Sequence, residues 1–384
     1  MSQSPVPLSL YIHFPWCVRK CPYCDFNSHA LRGEIPEDEY IAALLRDLDW
    51  ELASAPLTRP PPLLSLFMGG GTPSLFSGRA IGHLLEEVST RLDFGADIEI
   101  TLEANPGTVD AAHFRGYRAA GVNRLSIGVQ SLDDAQLKKL GRIHGRDEAL
   151  TACRDARAAG FDNINLDLMY ALPGQSAAQA SDDLAALLAL QPEHVSYYQL
   201  TLEPNTEFAA HPPKLPDDEA AWSMQEQAQR ALAAQGYAQY EVSAYAQPGR
   251  RARHNLNYWT FGDYIGIGAG AHGKRSGDGQ IWRRARRKHP KTYLQEAGTA
   301  AALHEQTTVA ARDLPFEFCM NALRLNDGFA LADFENATDR PVRELEPALT
   351  NAVERGLIEQ AQGRIRATAL GRAHLNATLR LFLP

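Results

Sequence analysis

Cys17, Cys21 and Cys24 lie within eight residues, in the run Phe14-Pro15-Trp16-Cys17-Val18-Arg19-Lys20-Cys21-Pro22-Tyr23-Cys24-Asp25-Phe26. Thiolates this closely spaced in a loop can converge on one metal centre. With only three of them, a four-iron cluster held here would have one iron without a protein ligand. An open metal position is where chemistry happens, whereas a closed site is structural. The two other cysteines, Cys153 and Cys319, fall in helix-like stretches and read as small buried apolar residues.

Further polar candidates recur at the C-terminal ends of predicted strands. Gly69-Gly70-Gly71-Thr72-Pro73 follows the second strand, Glu103 and Asn105 end the third, Gln130 ends the fourth, and Asp167 lies near the end of the fifth. Arg142 sits in the loop region after Gln130. Strand ends and their loops converge at the active rim of a barrel. A glycine run lets backbone approach a ligand. Carboxylates such as Glu103 and Asp167 accept hydrogen bonds from ribose hydroxyls. The Arg142 guanidinium matches a carboxylate, and Tyr23 offers a face on which a base can stack. Together these needs describe a ligand with an amino-acid end, a ribose and an adenine.

The elements that must position these residues are legible up to about residue 200. Strands are predicted at Leu8–Phe14, Leu63–Met68, Ile98–Ala104, Arg124–Gln130, Asn163–Met169 and His194–Gln199. Helices are predicted between them at Glu37–Leu52, Arg79–Leu92, Val109–Ala120, Arg146–Ala159 and Ala178–Leu190. Strict alternation means a parallel sheet with crossover helices. Six units suggest an α/β, partial (β/α)6 TIM-like barrel with an open side. A helix at Asp217–Gly236, a strand at Tyr240–Tyr245 and a loop-rich stretch from His254 to Gly273 follow. The chain divides into a barrel with a β extension over 1–299 and a smaller, mostly helical domain over 300–384. The latter resembles a winged helix, ending in two short strands and a helix at Leu370–Leu381.

With 384 residues, 45% of them hydrophobic, the chain can bury a large core. A net charge of −8 disfavours non-specific binding to nucleic acid. No run approaches the roughly 18 apolar residues of a membrane span, and the N-terminus lacks the pattern of a secretory leader. The expected location is the cytoplasm, where clustered cysteines bind metal rather than forming disulfides.

The chain resembles the radical S-adenosylmethionine (SAM) proteins, in the branch related to oxygen-independent coproporphyrinogen III oxidase, and within it the HemW-type haem chaperones. The match is carried by Tyr11–Cys17, Met68–Ser74, Leu125–Ser131, Asn165–Tyr170, His254–Trp259, Gly266–Gly273 and Phe316–Phe329, which together extend over nearly the whole chain. The resemblance implies a radical SAM barrel in which Cys17, Cys21 and Cys24 hold a [4Fe-4S] cluster and SAM chelates the fourth iron. It implies that Tyr11, Tyr23, Gly70, Gly71, Thr72, Glu103, Gln130, Arg142 and Asp167 line the cofactor, and that a reduced cluster would cleave the sulfonium to a deoxyadenosyl radical. An electron donor for the cluster and a haem-acceptor protein are the implied partners. The oxidase has a further cysteine two positions after the third, where this chain has Phe26, and a longer N-terminal extension. Both departures favour a haem chaperone over the alternative, radical decarboxylation by a coproporphyrinogen III dehydrogenase.

In HemW-like proteins the His-Asn-x-x-Tyr-Trp stretch is implicated in haem binding, and His254 is the matching histidine. His254 reads either as a haem ligand or as a histidine hydrogen-bonded within a loop. His272 is a second candidate, in a glycine-rich setting that suggests close packing. The basic run Arg283–Lys288 reads as a solvated loop, as a partner of haem propionates, or as a contact for an acidic or peripheral membrane surface. A third functional class, zinc held by the three cysteines with His13, Asp25 or His29 and a DNA-binding C-terminal domain, conflicts with the acidic charge and the rim constellation.

Overall fold

A computed structural model describes residues 6–54 and 60–384. Residues 1–5, which carry much of the leader reading, lie outside it. Six strands form the centre: β1 (Leu8–Phe14), β2 (Leu63–Gly70), β3 (Phe94–Ala104), β4 (Arg124–Gln130), β5 (Ile164–Tyr170) and β6 (His194–Gln199). They pair in parallel and in chain order. Their near-continuous burial, as in Leu8–Phe14, is that of strands covered on both faces. Helices α1 (Glu37–Ser54), α2 (Gly78–Ser89), α3 (Ala111–Ala119), α4 (Arg146–Ala158) and α5 (Ala177–Leu188) make the crossovers. Their starts are written locally: Ser77 accepts from Ala80 N, Asp110 from Ala112 N and His113 N, and Ser176 from Gln179 N. Gly121 and Gly160 follow α3 and α4 with positive φ. This is the expected partial (β/α)6 barrel.

The sheet continues past this unit. Beyond β6 lie β8 (Ala244–Ala246) and β7 (Ala238–Gln239), both antiparallel. Residues 240–243, predicted as strand, are instead a turn in which Glu241 accepts from Ser243 N. After helix α6 (Asp218–Ala234) and these short strands, the predicted loop region contains a helix, α7 (Arg253–Trp259), and a strand, β9 (Asp263–Ile267). β9 pairs in parallel with the free edge of β1. Strands β10 (His272–Gly277), β11 (Gln280–Arg286) and β12 (Leu303–Thr308) extend the sheet antiparallel, giving twelve strands in the order β12-β11-β10-β9-β1-β2-β3-β4-β5-β6-β8-β7. Strand β12 is a further strand, not predicted, within the region after residue 300 expected to be mostly helical.

The basic run is mostly the end of β11, not a solvated loop. Arg284 and Arg286 are buried, and α1 presents Asp47 and Glu51 to them four residues apart. Arg286 Nε lies 3.1 Å from Asp47 Oδ2 and its Nη2 lies 2.6 Å from Glu51 Oε2. Arg284 Nη1 lies 2.9 Å from Glu51 Oε1. Arg283 pairs with Glu317 and Arg287 with Glu296. Of the run, only Lys288 is a charged residue fully turned to solvent.

A second core gathers Phe318, Phe329, Phe334, Leu349, Ile365 and Phe382 beside Phe261 and Ile281. Its three short strands, β13 (Phe329–Ala330), β14 (Ile358–Ala361) and β15 (Arg364–Ala367), are antiparallel. The single helix predicted at 370–381 is two short ones, Ala369–Ala373 and Leu375–Leu379, followed by a 3-10 turn. They part at His374, where the backbone leaves helical geometry. The Thr378 hydroxyl reaches back to the carbonyls of Gly371 and His374.

Removing one member of the buried ion cluster strands the others without compensation. Arg286→Ala is expected to cost about 3–5 kcal/mol, read as a lowered thermal midpoint. Arg287→Ala, at a half-exposed pair, should cost about 1 kcal/mol or less.

Candidate functional site

Strand β1 ends at Phe14, and the chain immediately turns into the cysteine loop. Gly71 N donates to Phe14 O at 2.6 Å and Thr72 N to Trp16 O at 2.7 Å. The glycine run after β2 is thereby fastened to the start of that loop. A Cβ on Gly71 would lie 2.6 Å from Trp16 O. Gly70 has a φ of +108°, and a side chain there would strike the His13 ring. Gly71 is glycine because two backbones meet there, and Gly70 because its φ is positive and the His13 ring lies against it.

The result is a cavity of about 150 Å³ at the C-terminal ends of the strands, lined by Cys17, Cys21, Cys24, Tyr23, Gly70, Gly71, Thr72, Glu103, Gln130, Arg142 and Asp167. Nearly every residue proposed from the sequence thus meets in one place. Two do not. Tyr11 lies in a neighbouring cavity, its hydroxyl 2.9 Å from His13 Nδ1. His254 is only 3% exposed: its ring stacks on Phe67 at 4.6 Å, Tyr258 packs edge-on at 4.5 Å, and its Nδ1 lies 3.3 Å from Ser65 Oγ. Burial, with the Arg124 charge second, holds this imidazole down at about 3, so it is neutral.

The three thiols are half-buried and free of disulfides. Each has a polar neighbour: the Thr72 hydroxyl donates to Cys17 Sγ at 3.3 Å, Arg142 Nη1 approaches Cys21 Sγ at 3.7 Å, and Ser28 Oγ approaches Cys24 Sγ at 3.8 Å. Hydrogen bonds to sulfur tune an iron–sulfur centre. Burial pushes the Cys17 and Cys24 thiols up. Uptake of metal by protonated thiols releases protons. Among the described residues no three His, Cys, Asp or Glu side chains are grouped to hold a single metal ion. His13, one fourth ligand of the zinc reading, has both ring nitrogens engaged, with Tyr11 OH and Asn27 O.

Around the thiols the polar groups are incompletely satisfied. Arg142 Nη2 donates to Gly128 O at 2.8 Å, but its buried Nε has no partner among the described residues. A buried guanidinium with an unused N–H fits an anionic ligand. Glu103 Oε2 accepts from Gly70 N at 3.0 Å. Burial, and then the charge of Asp167, pushes Glu103 up to about 7 against that hydrogen bond. Asp167 is likewise raised by burial, opposed by hydrogen bonds from Asn165 and Ser196. Gln130 holds a φ of +70° and accepts from Tyr198 OH at 2.7 Å.

The sequence reading missed Ser126, Gly128 and Tyr198, which also line the cavity. The signal was available in the strand period: 126, 128 and 130 share a face, as do 165 and 167, and 196 and 198.

The Radical SAM superfamily model matches residues 11–187, and the HemN C-terminal domain model matches residues 309–374. Heme chaperone HemW of Escherichia coli (strain K12) is 50% identical over 98% of each chain. Heme chaperone HemW of Haemophilus influenzae is 48% identical, also over 98% of each. In fold, the solved structure of coproporphyrinogen III oxidase (HemN) from Escherichia coli, a radical SAM enzyme, superposes with a TM-score of 0.82, covering 99% of this chain and 91% of that one at 24% identity.

Glu103 yields a prediction with a definite sign. Its folded pKa is raised from 4.5 to about 7, so the folded chain holds this proton more tightly than the unfolded one. That stabilisation is complete below the unfolded value and is lost as pH rises through about 7. The metal-free wild type should therefore lose on the order of 2–3 kcal/mol more stability between pH 5 and pH 8 than Glu103→Gln does, measured by urea unfolding at the two pH values.

Proposed function

The chain belongs to the HemW family of radical SAM proteins, and on that premise we propose that it is a cytoplasmic haem chaperone carrying a [4Fe-4S] cluster and SAM, which passes haem to an acceptor protein. The observation that carries this reading is the convergence of three free thiols, the glycine run and an under-satisfied arginine on one cavity, in a chain half identical to named haem chaperones over its whole length.

In this reading Cys17, Cys21 and Cys24 hold three irons. Arg142 pairs with the carboxylate of SAM, using the N–H that otherwise lacks a partner. Backbone at Gly70 and Gly71 comes within reach of the same end of the ligand, because nothing projects from those residues. Asp167 and Glu103 accept from hydroxyl or ammonium groups, which favour ionised carboxylates and so oppose the burial that raises both pKa values. Tyr23 packs against Phe208 and presents its ring to the cavity. Bound together, cluster and SAM supply one-electron chemistry; the residues above contribute position and shelter from water. Among the described residues no helix is long and apolar enough to cross a membrane. With most of the basic run paired internally, that run supports neither a membrane contact nor propionate binding, Lys288 excepted.

Protein reconstituted without oxygen should contain iron and sulfide in equal amounts, and Cys21→Ala should lose the cluster's visible absorbance. Zinc without sulfide would sink the reading. With reductant and SAM, the wild type should leave coproporphyrinogen unchanged yet take up haem and release it to an apo-acceptor. Protoporphyrinogen in the product would assign it to the decarboxylase alternative.

A further inference from the structure

A second cavity, of about 670 Å³, opens on the other side of the cysteine loop. Its size lies within the range of small-molecule and cofactor sites, about 300–1,000 Å³. Phe26, 58% exposed, lines both this cavity and the thiol cavity, so the two are neighbours across one aromatic ring. Flat apolar surface comes from Phe26, Tyr258 and Tyr264, the two tyrosines packing edge-to-face at 4.6 Å. Two exposed lysines, Lys20 and Lys288, and one carboxylate, Asp25, are also part of its wall.

Three histidines line this space, and their hydrogen bonds distinguish them. His13 uses both nitrogens internally. His29 Nε2 lies 3.2 Å from Lys288 O and 3.3 Å from Asn27 Oδ1. The His272 imidazole has no hydrogen-bond partner among the described residues, and it is exposed at the first position of β10. The glycines before it explain how this arises. Gly266 gives room to the His272 carbonyl, Gly268 to the backbone of His13 and Gly270 to the Asn27 amide. The close packing expected around His272 thus involves backbone and the Asn27 side chain, and the imidazole is left outward. Partial desolvation, then the charges of Lys288 and Arg283, lower its pKa and favour the neutral, metal-binding form.

We infer that this second cavity is where the haem of the proposed function is carried, with His272 as its iron ligand, Lys20 and Lys288 facing its two propionates, and Tyr258 and Tyr264 against its flat face. The assignment rests on the haem-chaperone reading and deepens it. It also gives the His-Asn-x-x-Tyr-Trp stretch a division of labour: Tyr258 reaches the cavity, and His254 is the buried plate beneath it. His254 is then a positioning residue, since α7 would have to leave β1 and β2 before iron could reach its ring.

The test is a visible-absorption titration of the cluster-loaded chain with haemin and, separately, with iron-free protoporphyrin. His272→Ala should weaken haemin binding by at least about tenfold, since losing even an outer-shell partner of a metal ligand costs that much, and abolish the wild-type Soret maximum. It should leave protoporphyrin and SAM binding unchanged. The double variant Lys20→Glu, Lys288→Glu should weaken both porphyrins. His254→Phe, which keeps a flat ring in the stacked slot, should keep the wild-type haem spectrum. Wild-type haemin affinity and spectrum in His272→Ala, or their loss in a His254→Phe protein with an unchanged thermal midpoint, would overturn the assignment while leaving the chaperone reading intact. No haemin uptake by the wild type would overturn both.

Discussion

Two backbone hydrogen bonds, Gly71 N to Phe14 O and Thr72 N to Trp16 O, fix the position of everything else in the site. They hold the glycine run against the turn where β1 becomes the cysteine loop. That contact brings the Thr72 hydroxyl to Cys17 and points Gly70 N at Glu103. From Glu103 the site continues to Asp167, whose charge helps to raise the pKa of Glu103. None of this survives a side chain at position 71, which would meet a carbonyl oxygen rather than a movable group. The same logic acts on the opposite flank, where Gly268 and Gly270 let β9 and the turn after it close on His13 and Asn27. The cysteine loop is gripped from both sides by chain that lacks side chains.

Buried charge is used in two different ways in this molecule. In the Asp47–Glu51–Arg284–Arg286 cluster, charges of opposite sign meet directly, and the network ties α1 to the β extension. At the strand ends, Glu103 and Asp167 sit near each other with raised pKa values, and the Arg142 Nε lacks a partner. A low-dielectric interior makes such incompletely paired groups costly. The first arrangement balances its charges by direct ion pairs, although the buried Arg286 Nη1 has no hydrogen-bond partner among the described residues. The second borders a cavity, where a bound polar molecule can take up the unused hydrogen-bonding capacity, and the cavity separates a ligand site from a structural ion cluster.

Two of the stretches misread from sequence were misread for related reasons. The stretch containing Gly266, Gly268 and Gly270 looks like a loop because glycine weakens a strand. It nevertheless includes a strand paired with β1, where close backbone approach makes glycine necessary. Arg283–Lys288 looks solvated because a run of cations usually is. Its burial depends on Asp47 and Glu51, which lie more than 230 residues earlier in the chain. No local pattern reports a partner at that separation.

The sequence alone determined the six parallel units, because alternating period and caps are local properties of strands and helices. It also determined the three thiols and the rim residues Glu103, Gln130, Arg142 and Asp167, because strand ends mark where a barrel converges. Tertiary structure alone decided which histidine is buried and which is presented. His254 lies under β1 and β2 while His272 opens onto a cavity, and that depends on β9 and β10 joining the far edge of the sheet. Burial is set by what other segments cover, and pairing between distant strands leaves no periodic trace in the segment that is covered.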